Sequence, residues 1–161
     1  MTEQRRLWYN YANGDGVRHN RPARLITPTR TFAGRTPSWS TSSISAGAIV
    51  GANLRYWMSR YAVRLLGPVF PYGTLAINVL GSFVLGFFLI WTTERTIVDP
   101  RWRLLIAVGF CGGFTTFSSY AYESMAFLQQ GQWSLLAVNF FSNNVLACVA
   151  ALAGMALARV L

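Results

Sequence analysis

Two stretches of this chain run without charge for longer than a bilayer is thick. Gly73–Thr93 and Trp133–Ala158 hold 21 and 26 residues with no acidic or basic side chain. A third, Leu104–Tyr122, holds 19 and continues beyond Glu123 toward Leu128. A helix rises 1.5 Å per residue, so about 20 apolar residues cross a hydrocarbon core of roughly 30 Å. Lipid offers no partner to backbone N–H and C=O groups, so such segments must be helices. A weaker apolar stretch, Ser43–Leu66, precedes them, interrupted by Asn53, Arg55, Arg60 and Arg64. The connections are short: Gly67-Pro68 to Pro71-Tyr72, Asp99-Pro100, and Gln130-Gly131-Gln132. Trp91, Trp102 and Trp133 stand at the predicted ends, where aromatic belts form. The expectation is an all-α membrane protein with four transmembrane helices in residues 43–161, in contact with membrane lipid.

Charge supports this. The chain of 161 residues is 12% charged, against about 25% in soluble domains, and most of that charge lies in residues 1–64. A soluble enzyme is therefore excluded as the default. Residues 1–42 read as a disordered basic extension: Asn13-Gly14-Asp15-Gly16, Pro22, Pro28, Pro37 and a Ser/Thr-rich run break any period. Arg-rich, Ser-rich and acid-poor composition also matches an organelle transit peptide. The net charge of +9 comes from arginine alone, but no recognition-helix, heptad or zinc pattern accompanies it, so no nucleic-acid partner is expected. Cys111 and Cys148 have no metal-ligand spacing, and His19, the sole histidine, lies in the extension. No catalytic set can be assembled from these residues, and the chain is not expected to be an enzyme. The positive-inside rule places the N-terminus in the cytoplasm, with Arg30, Arg35, Arg95, Arg101, Arg103 and Arg159 on that side and Arg60 and Arg64 opposite.

Polar residues inside spans are costly and tend to carry function. Asn78 and Ser82 share a face of the second span, and Asn139, Ser142 and Asn143 share a face of the fourth. Ala147, Ala150, Ala151 and Gly154 extend the latter as a small-residue stripe. These polar sets suit either interhelical hydrogen bonding or ion contact. The third span contains Gly112-Gly113-Phe114-Thr115-Thr116-Phe117-Ser118-Ser119-Tyr120. Paired glycines weaken a helix, so a break is expected mid-membrane. Gly109 and Gly113 also fit simple close packing as a GxxxG pair. A break would free carbonyls that ligate cations. Phe117 and Tyr120 share a face, and ring edges are electropositive. Together with the hydroxyls of Thr116, Ser118 and Ser119 and the amide of Asn78, they suit a small dehydrated anion.

The runs Gly73-Thr-Leu-Ala-Ile-Asn78-Val-Leu-Gly81-Ser-Phe and Gly112-Gly-Phe-Thr-Thr-Phe117-Ser-Ser-Tyr120-Ala-Tyr-Glu123 resemble the CrcB/Fluc fluoride channel family. Gly51-Ala-Asn-Leu-Arg55-Tyr56 is similar to its first-helix motif, and the resemblance covers about residues 43–158. It implies a passive fluoride-selective channel in the inner (plasma) membrane that exports fluoride from the cytoplasm. It implies a four-helix subunit in an antiparallel, dual-topology homodimer with two pores; the arginine bias between the two sides leaves open a pairing with an oppositely oriented homologue instead. It implies a structural Na⁺ at the dimer interface, held by main-chain carbonyls of Gly112 and Thr115. The same resemblance puts Asn78, Phe117, Tyr120, Ser118 and Ser119 along the fluoride path, with Arg55 near the vestibule. Ser142 is the fourth-helix candidate. Tyr120 departs from the family's usual phenylalanine.

A rival reading is a small proton-coupled exporter of organic cations. It requires an embedded carboxylate, for which Glu123 is the sole candidate inside a span. Another is a non-transporting membrane anchor. Glu123 itself is expected to cap the third span or to pair with Arg55.

Overall fold

The computed structural model describes residues 38–94 and 98–161. The N-terminal extension lies outside these residues up to position 37. Every regular element among the described residues is helical. They are α1 (Ser38–Leu66), α2 (Tyr72–Glu94), α3 (100–114), α4 (Phe117–Gln129) and α5 (Trp133–Val160).

Helix α1 starts at Ser38, not at the expected Ser43. A tertiary contact supports this first turn: the Arg101 guanidinium sits 5.2 Å from the centre of the Trp39 ring. That contact anchors a first turn whose Ser/Thr-rich sequence looks like loop. At the other end of α1, Gly67 adopts φ +82° and its N–H bonds to the Val63 carbonyl at 3.0 Å. A left-handed glycine is the usual way to end a helix. The Pro-rich turn then leads into α2, with Phe70 buried against the edge of Tyr72, ring centres 4.9 Å apart.

Helix α3 opens on Asp99-Pro100. Asp99 accepts a hydrogen bond from the Arg101 N–H at 2.8 Å, and Pro100 occupies the first turn, where no N–H is needed. Its middle, Leu104–Phe110, is wound as a π-helix, and the Cys111 N–H reaches back to the Ile106 carbonyl. Helix α5 follows a tight turn at Gly131, φ +69°.

Two seams hold the helices together. Along α1 and α3, backbone meets backbone. A Cβ on Gly113 would stand 2.7 Å from the Ala48 carbonyl oxygen, and one on Gly109 2.5 Å from that of Ile44. Gly47 and Gly51 face Leu105 and Phe110 even more closely. The GxxxG pair is thus used for packing. Along α2 and α5, Gly86 abuts Ala151 and Gly154 abuts Phe83, so the small-residue stripe is also a contact surface.

Among the described residues, three helical stretches are long and apolar enough to cross a membrane: Tyr72–Thr93, Pro100–Gln129 and Trp133–Val160. Helix α1 is not among them, for the polar interruptions already named. Val145, Val149, Leu152 and Val160 of α5 are exposed, as expected of surfaces that meet lipid or another subunit.

Candidate functional site

The site is built around two residues. Thr115 (φ −73°, ψ 159°) and Thr116 (φ −150°, ψ 109°) are extended between α3 and α4. Two extended residues in a helical path redirect the backbone bonds around them. Thr115 turns back on α3, its N–H and its hydroxyl both donating to the Cys111 carbonyl at 2.9 Å. The Thr116 N–H, which would otherwise bond to Gly112, donates to Asn78 Oδ1 at 2.9 Å. The Ser119 N–H, which would otherwise bond to Thr115, donates to Thr116 Oγ1 at 3.1 Å and so caps α4. Among the described residues nothing donates to the carbonyls of Gly112 and Thr115. Open space surrounds Gly112, with no atom within 4 Å of a Cβ placed there.

Asn78 brackets the bend. Its oxygen takes the Thr116 N–H, and its Nδ2 donates to the Thr116 carbonyl at 3.2 Å. Nδ2 also donates to Asn143 Oδ1 at 3.0 Å. A relay of amides continues from there. Asn143 donates to Asn139 Oδ1 at 2.8 Å, Asn139 to Ser124 Oγ at 2.9 Å, and Ser124 to the Tyr120 carbonyl at 2.8 Å. Asn139 and Asn143 are buried. Buried polar groups must be paired, and this relay pairs them while tying α2, α4 and α5 into one unit. The fourth-span asparagines therefore make interhelical hydrogen bonds. Asn78 thus uses both its N–H groups within the protein.

A cavity of about 290 Å³ opens beside the bend. Asn78, Ser82, Thr115, Thr116, Phe117 and Tyr120 line it from α2, the bend and α4; Asn143, Asn144, Ala147 and Cys148 line it from α5. The Phe117 and Tyr120 rings meet edge to face, centres 5.6 Å apart at 64°. Tyr120 is buried, whereas Phe117 is 78% exposed. The described residues thus leave the Phe117 ring open on its outer side and enclose no narrow passage around it.

Of the other residues predicted from sequence, Ser118 and Ser119 reach the cavity wall only through the Thr116 hydroxyl, at 3.3 and 3.0 Å. Ser142 lies outside the lining, and its hydroxyl donates to the Val138 carbonyl of its own helix at 2.6 Å. Arg55 lies on α1, which contributes nothing to the lining. Glu123 is not paired with Arg55: its Oε1 accepts from the Thr74 hydroxyl at 2.6 Å. Thr74 and Asn144 were missed by sequence reasoning. Thr74 carries no signal in an apolar run, but Asn144, a third asparagine in an uncharged span, was a signal to follow.

A helical bundle with several membrane-length spans and a buried polar relay beside a cavity defines a multi-pass membrane protein. The family model described as CrcB-like protein, Camphor Resistance (CrcB), matches residues 42–155. This chain belongs to that family. It is 60% identical over 116 residues to the fluoride-specific ion channel FluC of Koribacter versatilis (strain Ellin345), covering 72% of this chain and 92% of the relative. It is 44% identical over 118 residues to the protein of the same name from Sulfurihydrogenibium sp. (strain YO3AOP1), covering 73% and 95%.

Proposed function

We propose that this chain is a passive fluoride-selective channel, an ion channel and not an enzyme, that lets fluoride leave the cytoplasm across the inner membrane. The observation that carries the reading is the coincidence of two things: close relatives named for fluoride conduction, and a bent Gly-Gly-Phe-Thr-Thr-Phe segment that lines a polar cavity with an aromatic pair. The relatives compared are named for fluoride conduction and lend no support to the cation-exporter reading, and Glu123 is held by Thr74.

In this reading α1 is the fourth span, and Thr115 and Thr116 break the third at mid-membrane depth. Two subunits insert in opposite orientations and form two pores. The exposed Phe117 ring favours this, since a second subunit supplies the surface that closes the path. Ring edges of Phe117 and Tyr120 then face the anion, with Thr116, Ser118 and Ser119 along the track, Arg55 at the vestibule and Ser142 nearby. The undonated carbonyls of Gly112 and Thr115 at an open surface fit a Na⁺, whose charge would join the two subunits. The modest arginine bias between the two sides keeps a pairing with an oppositely oriented homologue as the second reading.

Purified chain in vesicles, followed with a fluoride electrode, tests this. Fluoride leaves electrogenically and chloride barely. Phe117→Ile abolishes the flux and leaves the protein eluting as the unaltered chain does. Normal flux in that variant removes the ring-edge account, and absence of flux from the unaltered chain removes the channel reading or demands a partner chain.

A further inference from the structure

The cavity beside the bend has a polar wall, yet its amide donors all face protein. Asn78 Nδ2 is engaged by Thr116 and Asn143 at 3.2 and 3.0 Å. Asn143 Nδ2 is engaged twice by Asn139, at 2.8 and 3.2 Å. Asn144 Nδ2 donates to the Phe140 carbonyl at 2.7 Å and to the Tyr120 hydroxyl oxygen at 2.9 Å. A carboxamide has two N–H bonds, so none of the three keeps one for a solute. The threonine hydroxyls are likewise engaged, Thr115 with Cys111 at 2.9 Å and Thr116 with Ser119 at 3.0 Å.

Tyr120 differs. Its oxygen receives an N–H from Asn144, and among the described residues nothing accepts its own proton. Ser82 has the other unengaged hydroxyl on the wall, but an aliphatic alcohol is a weaker acid than a phenol. An N–H received at oxygen further polarises the O–H bond. We infer that the phenolic O–H of Tyr120, aimed by Asn144, is the hydrogen-bond donor that meets the dehydrated anion in this cavity. The inference rests on the fluoride reading and sharpens it: where the resemblance implies a phenylalanine with only a ring edge, this chain adds a direct donor. Asn144 is its positioning residue.

The test is fluoride flux as a function of fluoride concentration, with the purified full chain in vesicles. Tyr120→Phe raises the half-saturating concentration about tenfold, the loss of one hydrogen bond to a charged acceptor. Asn144→Leu removes the aim but keeps the donor, and shifts it only about twofold. Equal shifts in the two variants mean that the hydroxyl merely braces the ring, and overturn the assignment; so does an unshifted Tyr120→Phe. Should Tyr120→Phe not elute as folded protein, 3-fluorotyrosine at position 120, a stronger donor, must lower the half-saturating concentration, and an unchanged value overturns the assignment. No flux from the unaltered chain bears on the fluoride reading itself, removing it or demanding a partner chain as stated above, and is read before any variant is compared.

Discussion

Both sides of the bundle use close glycine packing, but only one adds a polar relay. Along α1 and α3 the contact is glycine against backbone. Along α2, α4 and α5 the close approach of Gly86 to Ala151 and of Gly154 to Phe83 is joined by a relay of asparagines, serine and threonine running from Thr116 through Asn78, Asn143 and Asn139 to Ser124. The first seam relies on close approach, which lipid cannot compete with. The second relies on pairing groups that would be costly if left alone in hydrocarbon. The cavity opens on the second side only. The candidate site lies where polar groups are buried, and the glycine seam packs α3 up to the bend at Thr115–Thr116.

The largest loss is expected at the glycine seam. Gly51→Leu drives a side chain into the Phe110 carbonyl and the Gly113 backbone. Backbone cannot yield there, so little folded protein is expected in detergent by size-exclusion chromatography; a normal yield would show that the seam can open. The polar seam should fail more gently. Asn78→Ala leaves the Thr116 N–H and the Asn143 oxygen without partners, at about 1–3 kcal/mol each. Folded protein is still recovered, with a lowered thermal unfolding midpoint and flux reduced at least about tenfold. A variant as stable and as conductive as the parent would show that the bracket is dispensable. Gly112→Val sharpens the contrast, because this glycine, unlike Gly51, has nothing near it within the subunit. The subunit should fold almost unchanged while dimer recovery and Na⁺ dependence of the flux fall. A fold defect without those changes would place Gly112 with the seam.

Much of this was legible in the residues. The three uncharged stretches named three membrane-length helical spans, because hydropathy over some 20 residues reports the solvent directly. The Gly112–Thr116 run marked where a helix is weak, and the extended residues are Thr115 and Thr116. Asn78, Thr116, Phe117 and Tyr120 were expected together and line one cavity. Hydrogen-bond partners were not legible. Asn78 meets Thr116 and Asn143 across 38 and 65 positions, and no local pattern encodes that distance. The same holds for Thr74 with Glu123, where charge arithmetic suggested Arg55, and for Trp39 with Arg101, which supports the first turn of α1.

Composition and order alone determined that this chain enters a membrane, which three stretches are long and apolar enough to cross it, and which family it belongs to, since these depend on local hydropathy and on motifs read in line. Tertiary structure decided what each polar side chain does. A donor or acceptor has few bonds to give, and only the packed helices settle whether protein takes them, as at Asn78, or leaves one for a solute, as at Tyr120.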